Sequence, residues 1–152
     1  MDAPDQTMSG LGEAIEMVGR GERLAARELL LELWEGVGPT GDPLHRCALA
    51  HHLADVQDDL VEELAWDERA LLAADSITAE RAAEAGVAGS VAGLYPSLHL
   101  NLGDDHRRLG DLDAARRHLA LGQDAAGALG EDGYSAMIRR GLERLAARLT
   151  DE

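Results

Sequence analysis

The segment from Pro96 to Leu129 decides the fold, and it reads PSLHLNLGDDHRRLGDLDAARRHLALGQDAAGAL. Its first half places Leu98, Leu102, His106 and Leu109 at intervals of three and four residues. Its second half keeps the same spacing at Leu112, Ala115, Leu119, Gly122, Ala126 and Leu129. Because a helix has 3.6 residues per turn, each set lies on one face of a helix. The segment therefore predicts two helices, each with one apolar face.

Gly110 and Asp111 separate the two halves and predict a tight turn between the helices. Two helices that are apolar on one side and joined by a short turn bury those sides against each other. Gly103, Ala115 and Gly122 carry small side chains on the packing faces. Small side chains let a neighbouring helix approach closely, so we expect a tightly packed helical hairpin.

The order of small and large residues in this segment resembles the tetratricopeptide repeat, a helix-turn-helix unit of about 34 residues. In that family a Leu-Gly pair is followed by an aromatic residue, a turn glycine, an alanine, a large apolar residue and a second alanine. The matching residues here are Leu102, Gly103, His106, Gly110, Ala115, Leu119 and Gly122. His99 and His106 stand where the family favours aromatic residues, and the closing proline is absent.

Two weaker copies of the pattern precede this segment, near residues 8–38 and 43–76. In the first copy, Gly21 stands in the place of Gly110, and Ala26, Leu30, Leu33 and Val37 repeat the apolar spacing. In the second, Leu49-Ala50 matches Leu102-Gly103, and Asp42-Pro43 predicts a helix start. Several repeats are required because one unit cannot bury its own apolar face.

The resemblance implies an all-α fold, a right-handed solenoid of helical hairpins with about seven or eight helices in antiparallel pairs. We expect a disordered leader at residues 1–10 and a single domain at residues 11–150. A last helix from about Asp132 to Leu149 is expected to cap the solenoid. The turns at Gln57 and Gly110 are too far apart for one repeat, so residues 77–95 are an insertion, and Thr78 is expected to cap a short helix in it. The insertion is either a longer connection or a binding element.

The composition agrees with a helical protein and limits its partners. Phe and Lys are absent, and the 29 acidic residues against 14 basic ones give a net charge of -15. Such a surface repels phosphate backbones and anionic lipids, so we expect neither nucleic acid nor membrane as a partner. Chemistry that depends on lysine is excluded.

Cys47 is the single cysteine, so an internal disulfide is impossible and a reducing, cytoplasmic location is expected. Its apolar neighbours indicate an inert buried thiol. The N-terminus lacks the features of a signal peptide. No window approaches the apolar run that a membrane span needs.

Residues for chemistry are sparse. His51, His52 and Asp55 share one predicted helix and offer two metal ligands, but zinc requires three or four that converge. The motifs HExxH and GxSxG are absent, and no glycine-rich phosphate loop follows a strand. We therefore expect no enzyme, no metal and no cofactor.

The resemblance implies a concave groove lined by the first helix of each pair, in which the family holds a peptide or a partner helix. The residues it assigns to that groove are Cys47, His51, Ala54, Asp55, Ser97, Leu100, Asn101, Asp104, Arg107 and Arg108. Asn101 would bond the backbone of the ligand. Without lysine, a clamp for a terminal carboxylate lacks one of its parts. We expect a groove of mixed charge, acidic near Asp55 and basic near Arg107 and Arg108.

The function expected from the sequence is a non-enzymatic module that binds a protein or a peptide. Two alternatives remain open. The chain is a homodimer joined through its groove or through Tyr134 and Ile138 of the last helix, or it senses a small molecule or short peptide beside the insertion.

Overall fold

A computed structural model describes residues 5–84 and 91–151. These residues form eight α-helices and contain no β-strand, which confirms the all-α prediction. None of the described helices is long and apolar enough to cross a membrane. The chain divides into two compact units, which we name unit 1, Met1–Ala73, and unit 2, Ala74–Glu152.

Unit 1 is built from four helices. They are α1 (Gln6–Gly19), α2 (Arg23–Val37), α3 (Pro43–Asp55) and α4 (Leu60–Ala74). Aspartates cap three of them, since the side chain of Asp5 accepts a hydrogen bond from the Met8 amide, Asp42 from Leu44 and Asp59 from Val61.

Helix α1 begins inside the segment expected to be a disordered leader. Residues 6–10 are helical, and the carboxylate of Asp5 accepts the Met8 amide at 3.1 Å. The cap satisfies one of the amides that a helix start leaves without a partner, and so the helix extends five residues beyond the expected start at Leu11. Residues 1–4 of the expected leader lie outside the described residues.

The first three helices of unit 1 pack against one another. Gly21, at φ +81°, makes the turn between α1 and α2, a backbone conformation that glycine adopts without strain. Leu30, Leu49 and Leu53 are fully buried in the core. The rings of Trp34 on α2 and Trp66 on α4 meet edge to face, with their centroids 5.1 Å apart.

Unit 2 contains a short helix followed by three long ones. They are α5 (Ala79–Glu84), α6 (Tyr95–Arg108), α7 (Leu112–Ala125) and α8 (Gly133–Thr150), with single 3-10 turns at Val91–Leu94 and Ala126–Ala128. Thr78 caps α5, as the sequence predicts, by accepting the Arg81 amide at 3.1 Å. Asp132 caps α8 through the Ser135 amide at 2.7 Å. Residues 85–90 of the expected insertion lie outside the described residues.

Helices α6 and α7 form the hairpin that their sequence predicts, and α8 packs on both of them. Gly110, at φ +88°, makes the turn, and Asp111 caps α7 through the Ala114 amide at 3.1 Å. Leu142, Leu145 and other apolar residues of α8 are buried in this unit. The core of unit 2 thus lies among three helices.

Two glycines allow α8 to approach the hairpin. A Cβ atom on Gly103 would lie 2.8 Å from a methyl group of Leu145, and one on Gly122 would lie 2.9 Å from a methyl group of Leu142. Both distances are shorter than van der Waals contact, so the leucines occupy space that any other residue would fill. The predicted role of small residues on these faces is therefore confirmed for both glycines.

Two residues assigned to apolar faces lie at the surface instead. Leu109 is 39% exposed and Tyr134 is 52% exposed. Leu109 is the C-terminal cap of α6, and Tyr134 lies in the first turn of α8. Each residue stands at the end of its helix, where the neighbouring helices cover less of the side chain. Ile138, one turn further along α8, is buried.

Replacing Gly122 by Val is expected to destabilise the protein by about 1 to 3 kcal/mol, because the added atoms overpack the contact with Leu142. The matched control is Gly133→Val, since a Cβ there meets no atom within 4 Å. Urea unfolding followed by circular dichroism measures both. Equal unfolding midpoints for the two variants would contradict the role assigned to Gly122.

Candidate functional site

A surface cleft in unit 1 lies where α1 and α3 pack side by side over α2, and we name it the α1–α3 cleft. Its volume is about 80 Å³, several times what one buried water needs, so it has room for an aliphatic side chain. The residues that line it are Ala14, Ile15, Val18, Leu30, His52, Asp55 and Val56.

The cleft has an apolar floor and an apolar wall. Ala14, Leu30 and Val56 form the floor and are almost completely buried. Ile15 and Val18 form the wall on α1 and are 46% and 44% exposed. Apolar side chains left half-exposed beside a concave surface are typical of a site where a partner completes the burial.

The polar side of the cleft is formed by His52 and Asp55 on α3. Limited access to water raises the pKa of Asp55, and the nearby Glu63 raises it further. His52 and Arg23 lower it in part. Burial lowers the pKa of His52, and His51 adds to the decrease while Asp55 opposes it. Both shifts favour the neutral forms, and a cation bound beside Asp55 would oppose the shift of that carboxyl by stabilising its charged form.

Arg23 fixes the end of α3 next to the cleft. Its guanidinium donates hydrogen bonds to the carbonyl oxygens of Asp55 at 3.0 Å and Gln57 at 2.7 Å. It also lies 3.3 Å from the carboxylate of Asp58. These carbonyls are among the groups that a helix end leaves without partners, so Arg23 holds the helix end that carries Asp55 in place.

The residues predicted for a groove in unit 1 fall into two groups. Asp55 lines the α1–α3 cleft. His51, one helical turn before it, is half-buried, and its ring meets the ring of His52 edge to face, with the centroids 5.3 Å apart. Cys47 and Ala54 are buried and so cannot line a groove. The prediction that they face the groove is wrong, because they lie on the side of α3 that packs into the core.

The predicted residues near the start of α6 lie mainly inside unit 2. Ser97 is buried and donates a hydrogen bond to the Leu94 carbonyl oxygen at 3.1 Å. Leu100 packs against the core formed by Ala115, Leu145 and Leu149. Their side chains support the hairpin and its contact with α8, whereas Asn101 is half-buried.

The predicted charged residues of α6 form an ion-pair network. The carboxylate of Asp104 lies 3.0 Å from both the Arg107 and the Arg108 guanidinium, and 3.8 Å from Arg148 on α8. Arg108 also bonds the buried carboxylate of Asp105 at 2.9 Å. The side chain of Arg107 keeps 17% of its surface exposed. The basic character expected near Arg107 and Arg108 is thus reduced by two carboxylates in the same helix.

Possible metal ligands occur among the described residues of each unit. Among the described residues of each unit taken by itself, no three His, Cys, Asp or Glu side chains bring ligand atoms within 4.8 Å of one another. Such a set is the least that a protein zinc site requires.

Comparisons with protein-family models, with curated proteins and with solved structures found no match. The cleft and its chemistry are therefore the basis for a functional assignment.

Sequence reasoning identified Asp55 but missed the apolar part of the cleft. In the sequence, Ile15 and Val18 belong to an apolar stripe of α1, together with Leu11 and Ala14. The signal that points to Ile15 and Val18 is the width of the apolar stripe. Leu11 and Ala14 alone are buried in the packing of α1, so Ile15 and Val18 are apolar residues beyond what that packing uses. The sequence offers His52 as a possible metal ligand, and the structure places it in the lining of the cleft.

Cys47 is expected to react very slowly with thiol reagents in the folded protein. Burial raises its pKa to about 11, which lowers the thiolate fraction about 100-fold relative to an unfolded thiol near pH 8. Stopped-flow measurement with a disulfide reagent, in buffer and in urea, compares the two states. A native rate within threefold of the urea rate would show that the thiol is accessible.

Proposed function

We propose that this chain is a non-enzymatic module that binds a protein or peptide segment in the α1–α3 cleft. The observation that carries the proposal is the half-exposed pair Ile15 and Val18 beside a fully buried apolar floor. Completing the burial of these two side chains would contribute about 1 kcal/mol each.

The partner is a segment with an aliphatic side chain next to a basic residue. The aliphatic side chain enters the cleft and contacts Ile15 and Val18, and the basic residue lies at Asp55 on the rim. The net charge of -15 attracts a basic segment over longer distances and raises its association rate. The cation at Asp55 then gives the bound segment one direction along the cleft.

The resemblance to the tetratricopeptide repeat supports the same surface. In that arrangement α1 and α3 would be the first helices of two successive pairs, which line the concave, ligand-binding face. The α6–α7 hairpin would be the best-preserved repeat, and α8 would cover its apolar face. A solenoid of this type is part of the proposal.

Self-association is a second candidate, and exposed residues of α8 favour it. Tyr134 and Met137 lie three residues apart on one helix face, and Met137 is 49% exposed. Ile138, which the sequence suggested as a dimer contact, is buried within unit 2 and would not take part. A dimer in dilute solution that Tyr134→Asp separates into monomers would favour this candidate.

Selection from a library of random peptides against the folded protein is expected to enrich segments in which an aliphatic residue adjoins Arg or Lys. Val18→Asp is expected to weaken an enriched peptide at least tenfold, because the cleft then holds an unpaired charge. Asp55→Asn is expected to weaken it severalfold and to reduce the salt dependence of binding. Fluorescence anisotropy measures each dissociation constant.

The matched control is Leu72→Asp, which places the same charge on α4 at a residue that is 71% exposed and does not line the cleft. It is expected to leave affinity unchanged. Peptides that bind the Val18→Asp protein as tightly as the unchanged protein would overturn the proposed site.

A further inference from the structure

Three histidines of the α6–α7 hairpin lie in direct contact, and we name them the histidine row: His99 and His106 on α6, and His118 on α7. Nδ1 of His99 lies 3.0 Å from Nδ1 of His118. The rings of His106 and His118 are parallel within 5°, with their centroids 5.4 Å apart. The row therefore joins the two helices of the hairpin.

The contact between His99 and His118 is an N–H···N hydrogen bond. Their ring planes differ by 28° and the centroids lie 5.3 Å apart, the spacing of two imidazoles that meet edge to edge through nitrogens at 3.0 Å. One Nδ1 must donate and the other must accept, so at least one ring is neutral. The distance of 3.0 Å is the ordinary length of a hydrogen bond between two nitrogens, so the geometry suits a shared proton.

Each of these two histidines lies opposite a glycine of the other helix. A Cβ on Gly122 of α7 would lie 3.4 Å from Cβ of His99, and a Cβ on Gly103 of α6 would lie 3.6 Å from Cβ of His118. The glycines let the helix backbones approach and bring the two rings into reach. The bond is thus built into the closest part of the hairpin.

The charged groups around the row are few. On α6, the Tyr95 ring lies 6.1 Å from the His99 ring, and its hydroxyl donates to Asp75 at 2.6 Å. At the other end, Asp111 lies 3.9 Å from Nδ1 of His106. Arg117 neighbours His118 on α7.

The other elements of unit 2 add little charge to the row. Helix α8 faces the two glycines with Leu142 and Leu145, and its Arg148 lies at Asp104. The 3-10 turns at Val91–Leu94 and Ala126–Ala128 contain no titratable side chain. The ionisable groups that shift the pKa of His118 are two imidazoles and a guanidinium, and all three lower it.

This environment disfavours protonation. Burial lowers the pKa of His118 to about 4, and His99, His106 and Arg117 add to the decrease. Burial also lowers the pKa of His99, while Asp75 opposes the decrease.

We infer that the histidine row is an acid-sensitive latch, which holds α6 against α7 while its imidazoles are neutral and releases them when protons bind. A proton on the accepting Nδ1 would point two N–H groups at each other across 3.0 Å. It would also place a positive charge beside Arg117 and a parallel imidazole. Both effects act on the hairpin and not on the α1–α3 cleft of unit 1, so the inference is independent of the proposed function.

The pH range follows from the sign of the shift. In the unfolded chain the pKa of a histidine is about 6.5, whereas burial and the neighbouring cationic groups lower the pKa of folded His118 to about 4. The folded hairpin therefore binds fewer protons than the unfolded one, and its stability falls as the pH decreases from 6.5 toward 4. Well above pH 6.5 both states are neutral and the latch is fully formed.

The first test is NMR titration of the imidazole nitrogens in the full chain. His118 is expected to stay neutral at pH 5.5 while α6 and α7 remain folded, and one Nδ1 of the pair is expected to show the shift of a hydrogen-bond acceptor. A His118 that titrates near 6.5 in the folded protein would overturn the inference. This readout needs no variant.

The second test is hydrogen exchange of α7 amides, corrected for the intrinsic effect of pH on chemical exchange. The opening constant of α7 is expected to rise about tenfold between pH 7 and pH 5. His118→Asn places a non-titrating nitrogen or oxygen near the position of Nδ1, and the rise is expected to shrink to threefold or less. Burial also lowers the pKa of His51 and His52 in unit 1, so acid is expected to destabilise that unit as well. Exchange is therefore measured at α7 amides, which report on the hairpin.

The control is His45→Asn, which removes a histidine of unit 1 that contacts Asp5 and Asp42 and should leave the rise in α7 intact. Should His118→Asn fail to fold at pH 7, His99→Asn removes the same bond from the other helix. A full tenfold rise in a folded variant that lacks either histidine of the pair would overturn the latch.

Discussion

The close approach of three helices at Gly103 and Gly122 is the constraint on which unit 2 depends. Each glycine admits a leucine of α8 on one side and lies opposite a histidine of the hairpin on the other. One pair of missing side chains thus permits both the apolar contact with α8 and the bond between His99 and His118. Larger residues at either position would separate the helices and remove both.

Arginine has a structural role in a chain that contains no lysine. Arg23, Arg46 and Arg139 each donate to main-chain carbonyls near the end of a helix, at distances of 2.6 to 3.1 Å. The planar guanidinium can reach two carbonyls at once, which an ammonium group on a flexible stem does less well. Several cations of this acidic protein are therefore used within the fold, and a carboxylate such as Asp55 is well suited to an external cation.

The helices were predictable because their signals are local. Asp42, Asp59, Thr78 and Asp132 each precede a helix and cap it, and an apolar spacing of three and four residues follows. Helix α1 starts earlier than the apolar pattern because Asp5 supplies a cap that the pattern does not register. The candidate site was predicted in part, at Asp55, and His118 of the histidine row gave no signal, since its partners His99 and His106 lie on the other helix of the hairpin.

The sequence by itself determined that the chain is helical, where most of its helices begin, and that small residues at Gly103 and Gly122 permit close packing. These properties depend on residues a few positions apart, which any helix brings together. The tertiary structure alone decided that Ile15 and Val18 stay half-exposed beside Asp55, that Ser97 and Leu100 turn inward, and that His99 meets His118. Periodicity assigns a residue to a face of its own helix, whereas the partner of that face is set by how helices distant in sequence pack.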